Sequence, residues 1–217
     1  MMGTRIRIRA AIPADSPAAA ALIHLSMGEE ADWVFGRGNS TSTDTVLAGL
    51  FQRKGNHFSH DLCWVAEMDG RVVGALVAYP GRRRRNLNLR TGLHLLQVIG
   101  LAATFRLVNK LPRYGNLMEA AADEFYVSNL AVVPNMQGRG IGASLLSHAD
   151  TQALSHRLPK CSLLVTFDNP ARRLYERSGY RIVHSYPIHH PAIAHGSGGF
   201  HRMVKVLKPA AEAEGHA

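Results

Sequence analysis

The sequence has few cysteines and no long run of apolar residues. Its two cysteines, Cys63 and Cys161, both lie in apolar stretches. The N-terminus alternates arginine with isoleucine from Arg5 to Arg9, a strand pattern and not a secretory signal, so we predict reduced core thiols and a cytoplasmic protein. The apolar runs fall far short of the ~20 residues that a membrane span needs, so no membrane partner is expected.

Acidic residues are missing from one long stretch of a chain whose formal net charge is +9. Between Arg82 and Arg113 there are eight Lys or Arg residues and no Asp or Glu. Such a stretch attracts polyanions, such as nucleic acid or a phosphorylated ligand, or is simply a solvated basic face. Aromatic residues do not alternate with these arginines, which disfavours a platform for single-stranded nucleic acid.

Residues 124–148 combine a strand, a glycine-rich turn and a helix. The apolar run Phe125–Val133 has the length and β-branching of a buried strand, and Pro134 ends it. After the turn, apolar residues recur at helical spacing from Ile141 to Ala153. A turn of this kind directs several free backbone N–H groups and the positive end of the helix dipole at one point, which favours phosphate binding.

The turn Gln137-Gly138-Arg139-Gly140-Ile141-Gly142 admits three interpretations. Together with Leu130-Ala131-Val132 on the strand, it resembles the acyl-CoA motif of the GNAT N-acetyltransferases, Q/R-x-x-G-x-G/A. The segment from Gly138 to Ala143 also satisfies the dinucleotide pattern G-x-G-x-x-A. That pattern expects an acidic residue about 20 positions later, where this chain has Ser162. The third interpretation is a glycine turn without a ligand, and we favour the acyl-CoA site.

A second segment strengthens the resemblance. Ala171–Tyr180 matches the GNAT signature A-x-x-L-Y-x-x-x-G-[FY]. The family usually places Asn three residues before that Ala, whereas this chain has Asp168 there and Asn169 one residue later. Asn169 and Pro170 are typical of a helix start, and Gly179 is typical of a helix end.

The resemblance to the GNAT family implies a fold and a ligand. The fold is mixed α/β (α+β), with a central, mostly antiparallel twisted sheet, helices on both faces and a strand splayed at the CoA site. The co-substrate is acetyl-CoA, the acceptor is an amine, and no metal is required. The cofactor-binding residues implied are Leu130, Ala131, Val132, Gln137, Gly138, Arg139, Gly140, Ile141, Gly142, Ala143, Asp168, Asn169 and Tyr175.

Acetyl transfer to an amine needs a base and an acid. A lysine-type amine has a pKa of ~10.4 and is mostly protonated at pH 7, and the leaving CoA thiolate gains from receiving a proton. Tyr175 matches the family tyrosine near the CoA sulfur and is the predicted acid. Glu124, which begins the cofactor strand, is the predicted base, with a solvated strand end as the alternative. Tyr126 and Ser128 share its face by alternation.

The rest of the chain fits one acetyltransferase domain over residues 1–208, with a flexible tail at 209–217. An apolar and basic insertion, Pro80–Ala122, is predicted to be helical. It must pack on the main body, on a partner subunit in a homodimer, or over the substrate opening. Further strands are predicted at Arg5–Ala10, Leu62–Glu67, Val72–Tyr79, Ser162–Phe167, Arg181–Tyr186 and Phe200–Leu207, and helices at Ala18–Met27 and Thr45–Lys54.

Two further groups of side chains have open interpretations. Glu29, Glu30 and Asp32 follow the first helix and either meet a cationic amine or are solvated. A glycine-rich loop with nearby histidines either binds a metal, without a clean ligand spacing, or faces the substrate; these are His189, His190, His195 and His201. The competing function is a non-catalytic CoA-binding or basic nucleic-acid-binding regulatory module.

Overall fold

One seven-stranded sheet organises the chain. The computed structural model describes residues 6–36, 41–108, 120–187 and 198–207. The strands follow the order β1-β2-β3-β4-β5-β7-β6, and every neighbouring pair is antiparallel except β4 and β5. They are β1 (Arg7–Ala10), β2 (Cys63–Met68), β3 (Arg71–Pro80), β4 (Glu124–Val132), β5 (Lys160–Thr166), β6 (Arg181–Pro187) and β7 (Gly199–Val206). The predicted mixed, mostly antiparallel sheet is confirmed.

Helices cover both faces of this sheet, as predicted. They are α1 (Ser16–Met27), α2 (Glu29–Ala31), α3 (Thr43–Phe51), α4 (Arg84–Val108), α5 (Ile141–Ser155) and α6 (Arg172–Arg177). Because strand side chains alternate, Leu76 enters the core under α5 and α6 while Val77 enters the core under α1, α3 and α4. The sheet also separates the two buried free cysteines, since Cys161 lies in the first core and Cys63 in the second.

Two helix starts differ slightly from the predictions. α1 begins at Ser16 itself, with Asp15 in the capping position. α3 begins at Thr43 and not at Thr45, because the Ser42 hydroxyl accepts a hydrogen bond from the Thr45 N–H at 3.3 Å and caps the helix earlier. The predictions for the histidines at 189–195 and for the tail at 209–217 lie outside the described residues.

The 80–122 insertion leaves the sheet and returns to it at one point. Gly81 at its beginning packs directly against the backbone of Ala121 at its end. Between them runs α4, interrupted at Gly100, whose φ of 79° and ψ of 171° are not helical. The side chain of Val98 packs against Gly49 of α3. The insertion therefore packs on the main body of the chain.

No helix in the described ranges is both long and apolar enough to cross a membrane.

We expect Gly81→Ala to open the junction of the insertion. A β-carbon at this position overlaps the Ala121 carbonyl oxygen, and a backbone group cannot move aside as a flexible side chain does. The free energy of unfolding should fall by about 2 kcal/mol, measured by urea denaturation. Gly92→Ala in α4 is the control, because no described atom lies within 4 Å of its added β-carbon. It should be neutral or add up to ~1 kcal/mol; equal stability of the two variants would contradict the contact.

Candidate active site

The pairing between β4 and β5 stops halfway along β4. Their parallel ladder ends where Val127 lies opposite Leu163. At the same point β4 carries a bulge against β3, with Ser128 as the extra residue. Beyond the bulge, residues 129–132 pair with β3 on one edge, while their other edge has left the ladder with β5. The predicted splayed strand is present, and an unpaired strand edge offers N–H and C=O groups to an extended ligand.

The glycine turn follows the splayed segment directly. Gly138 and Gly140 have φ values of 75° and 80°, a region that side chains with a β-carbon rarely adopt. A β-carbon added at either residue would meet no atom of the described chain within 4 Å. The first intrahelical hydrogen bond of α5 runs from the Ser144 N–H to the Gly140 carbonyl at 3.0 Å. The N–H groups of residues 141–143 therefore point out of the helix start, at its positive end, into open space.

Two side chains of the turn have different surroundings. Gln137 Nε2 donates a hydrogen bond to the Val132 carbonyl at 3.0 Å and so ties the turn to the end of β4. Arg139 is exposed and adds a cationic group beside the helix start. In this arrangement Gln137 shapes the turn, while Arg139 is accessible to an anionic ligand.

The second predicted segment lies at the same edge of the sheet. Because β4 and β5 are parallel, the turn after β4 and the loop after β5 emerge on one side. In that loop Asp168 is exposed, and Asn169 Oδ1 accepts a hydrogen bond from the Ala171 N–H at 2.9 Å. This local turn delays α6 to Arg172, two residues after the predicted start at Pro170.

Helix α6 packs against the start of α5. A β-carbon on Gly142 would lie 2.9 Å from Leu174 Cδ2, so this glycine permits the close approach. The next residue, Tyr175, is 8% exposed, and burial raises the pKa of its hydroxyl to about 12. Gly179 ends the helix with a φ of 91°, as predicted. The two motif segments are thus brought together through Leu174 and Gly142, and the adjacent Tyr175 is protonated at neutral pH.

Glu124 lies at the opposite end of β4 and is already paired. Arg202 Nη2 lies 2.6 Å from both of its carboxylate oxygens, and the Ala121 N–H donates to it at 3.0 Å. Glu124 is 3% exposed and lies three residues before Val127, where the ladder with β5 ends. This geometry argues against its predicted role as the base, because its charge is neutralised and its oxygens are occupied.

A different carboxylate, Glu30, faces the middle of β4. Gly28, with a φ of 60°, turns the chain between α1 and α2. Burial raises the pKa of Glu30 to about 7. The pKa of Tyr126 on β4 is also raised, first by burial and then by the electrostatic influence of Tyr79 and the Glu30 carboxylate. We call Glu30, Tyr79 and Tyr126 the acidic and aromatic cluster; Tyr126 immediately precedes Val127, where the ladder with β5 ends.

The other two acidic residues of that segment have other surroundings. Glu29 is exposed. Asp32 accepts a hydrogen bond from the Thr43 hydroxyl at 2.6 Å and lies 3.3 Å from His24 Nε2. Of the three residues predicted to meet an amine, Glu30 is the one placed at the cluster.

Sequence reasoning missed a hydrogen-bonded relay behind this cluster. The Tyr79 hydroxyl lies 3.0 Å from His57 Nδ1, and His57 Nε2 lies 2.5 Å from Asn88 Oδ1 on α4. Burial lowers the pKa of His57, so the ring is neutral, with Nε2–H donating to Asn88 and Nδ1 accepting from Tyr79. The sequence carries no signal for this contact, because His57 and Asn88 are 31 residues apart.

Within the described ranges, no group of three or more His, Cys, Asp or Glu side chains is arranged to hold a metal ion. His201 Nδ1 instead lies 2.8 Å from the Ser185 hydroxyl.

A splayed central strand, an open glycine turn at a helix start and a tyrosine-bearing helix packed against it have the form of an acyl-CoA-dependent N-acetyltransferase. A profile of the Acetyltransferase (GNAT) family matches residues 29–180, and the chain belongs to this family. The matched range contains both motif segments and Glu30. No curated protein matches the chain.

Solved structures support the fold. A protein described as an acetyltransferase is 22% identical with a TM-score of 0.67, over 93% of this chain and 100% of that one. An N-acetyltransferase from Staphylococcus aureus Mu50 is 20% identical with a TM-score of 0.66, over 91% and 99%. The ribosomal-protein-S18-alanine N-acetyltransferase from Escherichia coli is 17% identical with a TM-score of 0.55, over 96% and 98%.

We expect Gly140→Ala to weaken CoA binding. The substitution places a β-carbon in the left-handed region, at a cost of about 1–2 kcal/mol, and turns the N–H groups of the helix start away from their common point. Calorimetry should show an increase of about tenfold in the dissociation constant for CoA. Gly70→Ala in the β2–β3 turn is the control, because Gly70 has a similar φ of 74° and no described atom lies within 4 Å of its added β-carbon, but it is not part of the glycine turn. A loss of CoA affinity in Gly70→Ala as large as that in Gly140→Ala would contradict this account of the turn.

Proposed function

We propose that the protein transfers the acetyl group of acetyl-CoA directly to a primary amine that is cationic in solution. The observation that carries the proposal is the open glycine turn at the start of α5, directly after the unpaired edge of β4. The diphosphate of CoA would bind the N–H groups of residues 138–143. Its pantetheine arm, which contains amides, would pair with the backbone of Leu130–Val132 along the open edge.

The reaction is a single displacement. The amine nitrogen attacks the thioester carbon, the C–N bond forms, and the C–S bond breaks with its electron pair leaving on sulfur. Tyr175 donates its proton to the departing thiolate and recovers one from solvent. A pKa of about 12 keeps this hydroxyl protonated at neutral pH, as a general acid must be.

A covalent acetyl-cysteine intermediate is disfavoured. Burial raises the pKa of both Cys63 and Cys161 to about 12, so neither thiol is ionised at neutral pH. Cys63 also lies in the core on the face opposite to Tyr175. These properties support direct transfer rather than a ping-pong route.

Glu30 is the proposed base in place of Glu124. A carboxylate with a pKa near 7 attracts the ammonium group and takes one proton from it, which frees the nitrogen lone pair for attack. The second proton leaves the nitrogen as the amide forms and passes to solvent. The rings of Tyr79 and Tyr126, with centroids 5.7 Å apart, line the same cluster and suit a cation. A cationic primary amine, on a small molecule or on a polypeptide, is the acceptor that this chemistry fits.

The release of free thiol tests the proposed function. Acetyl-CoA is incubated with a broad panel of amines, and Tyr175→Phe should reduce kcat by about 10²–10⁴-fold while calorimetry shows unchanged CoA affinity. CoA binding without turnover on any amine would overturn the proposal and favour a non-catalytic CoA-binding module. Loss of CoA affinity in Tyr175→Phe would place the tyrosine in binding instead of proton transfer.

Glu30→Gln tests the base. The carboxylate is ionised and active above pH 7 and protonated below it, so the wild-type rate should fall as pH drops through about 7. Glu30→Gln should be slower by about 10²-fold and should lack this acidic limb. The pH dependence of kcat/KM for the two enzymes is the measurement.

Glu124→Gln is the matched control for Glu30. It leaves Arg202 without its ion-pair partner, so we expect a loss of stability of about 3 kcal/mol with the acidic limb retained. Glu30 gives a second readout, because its pKa is raised on folding and the native state binds more protons. Its contribution to stability declines as pH rises from about 4.5 to about 7 and levels off above that. Glu30→Gln should remove that decline. If the acidic limb vanished in Glu124→Gln and persisted in Glu30→Gln, the assignment of Glu30 as the base would be contradicted.

A further inference from the structure

Helix α4 is apolar on two opposite faces. Leu87 and Leu95 are buried in the core under α1 and α3. Leu89, Leu93 and Leu96, spaced at i, i+4 and i+7, lie on the opposite side and are exposed. Apolar side chains therefore occur on both the core side and the solvent side of this helix.

Two more apolar side chains are exposed beyond the interruption at Gly100. Leu101 and Phe105 are exposed, whereas Ala103 and Leu107 on the same turns are buried. We call the exposed set the α4 outer stripe; its members are Leu89, Leu93, Leu96, Leu101 and Phe105. Their exposed fractions run from 38% to 76%. Single exposed apolar residues are ordinary, whereas five within residues 89–105 are a concentration that favours a binding surface.

The charged residues in the segment that carries the stripe are all arginines. Residues 82–108 contain no Asp or Glu. Five arginines in this range are exposed, namely Arg82, Arg83, Arg85, Arg90 and Arg106. This composition disfavours a second copy of the chain as the occupant, because two such surfaces brought together place like charges opposite each other. Nucleic acid would neutralise the charge of the arginines, but it offers no broad apolar surface to cover the four leucines of the stripe.

We propose that α4 docks the protein on an anionic lipid surface. The outer stripe enters the boundary between headgroups and acyl chains, and the arginines around it pair with acidic headgroups. The helix lies in the plane of the interface, which is a different mode from spanning. A search of the sequence for long apolar runs tests only for a membrane-spanning helix. The outward position of the stripe becomes visible only in the fold.

Vesicle sedimentation with the full chain tests the proposal. The protein should pellet with vesicles of phosphatidylcholine mixed with phosphatidylglycerol, and much less with phosphatidylcholine alone. Raising salt from about 0.1 M to about 1 M should release it, because the screening length falls from ~10 Å to ~3 Å. Leu93→Gln should weaken binding about tenfold, and Arg83→Gln about fivefold.

Val183→Gln is the matched control, since it removes an exposed apolar residue from β6 and should leave vesicle binding unchanged. All variants should keep the wild-type melting temperature and the wild-type thiol release without vesicles, which separates this proposal from the enzymatic one. The proposal is overturned by absent or composition-independent vesicle binding. It is also overturned by a dimer in ultracentrifugation that Leu93→Gln dissociates, or by salt-sensitive RNA binding without lipid binding.

Discussion

The unpaired edge of β4 beyond Val127 determines where a ligand can lie in this molecule. Backbone N–H and C=O groups removed from a ladder must find other partners, and an amide-containing arm is a partner of suitable length and chemistry. The gap arises from a single extra residue, Ser128, because a bulge increases the local twist and carries the strand away from its neighbour. Upstream of the bulge, residues 125–127 of β4 pair with β3 on one edge and with β5 on the other, so the opening begins at a strand held on both sides.

The same strand separates two chemical environments. Alternation sends Phe125 into the core under α5 and Tyr126 into the core under α1 and α3. The glycine turn and Tyr175 belong to the first side, and Glu30 belongs to the second. On the proposed function, the thioester and the amine therefore approach each other through the gap in the sheet. The acid and the base then stand on opposite sides of the reacting carbon, where neither can neutralise the other.

Much of this arrangement follows from local sequence. Period-two and helical patterns predict the strands and helices to within a few residues, and the positive φ values of Gly138, Gly140 and Gly179 match the predicted turns. The surroundings of the carboxylates Glu124 and Glu30 do not follow from local sequence. Glu124 is neutralised by Arg202, 78 residues later, and Glu30 is distinguished from Glu29 only by which way a short helix faces. Such long-range contacts have no local pattern, and neither does the bulge at Ser128.

Helix α4 shows why counting apolar residues is not enough. Its leucines are frequent on every side, so periodicity predicts a helix without saying which face is buried. The fold decides this by attaching the helix at Gly81 and Val98 and through Asn88, which bonds His57 and thereby Tyr79 of the acidic and aromatic cluster. A surface that holds the outer stripe would consequently fix the orientation of that cluster relative to itself. The chemistry of the cluster would be unchanged, because the stripe and the attachment points occupy different faces of one helix.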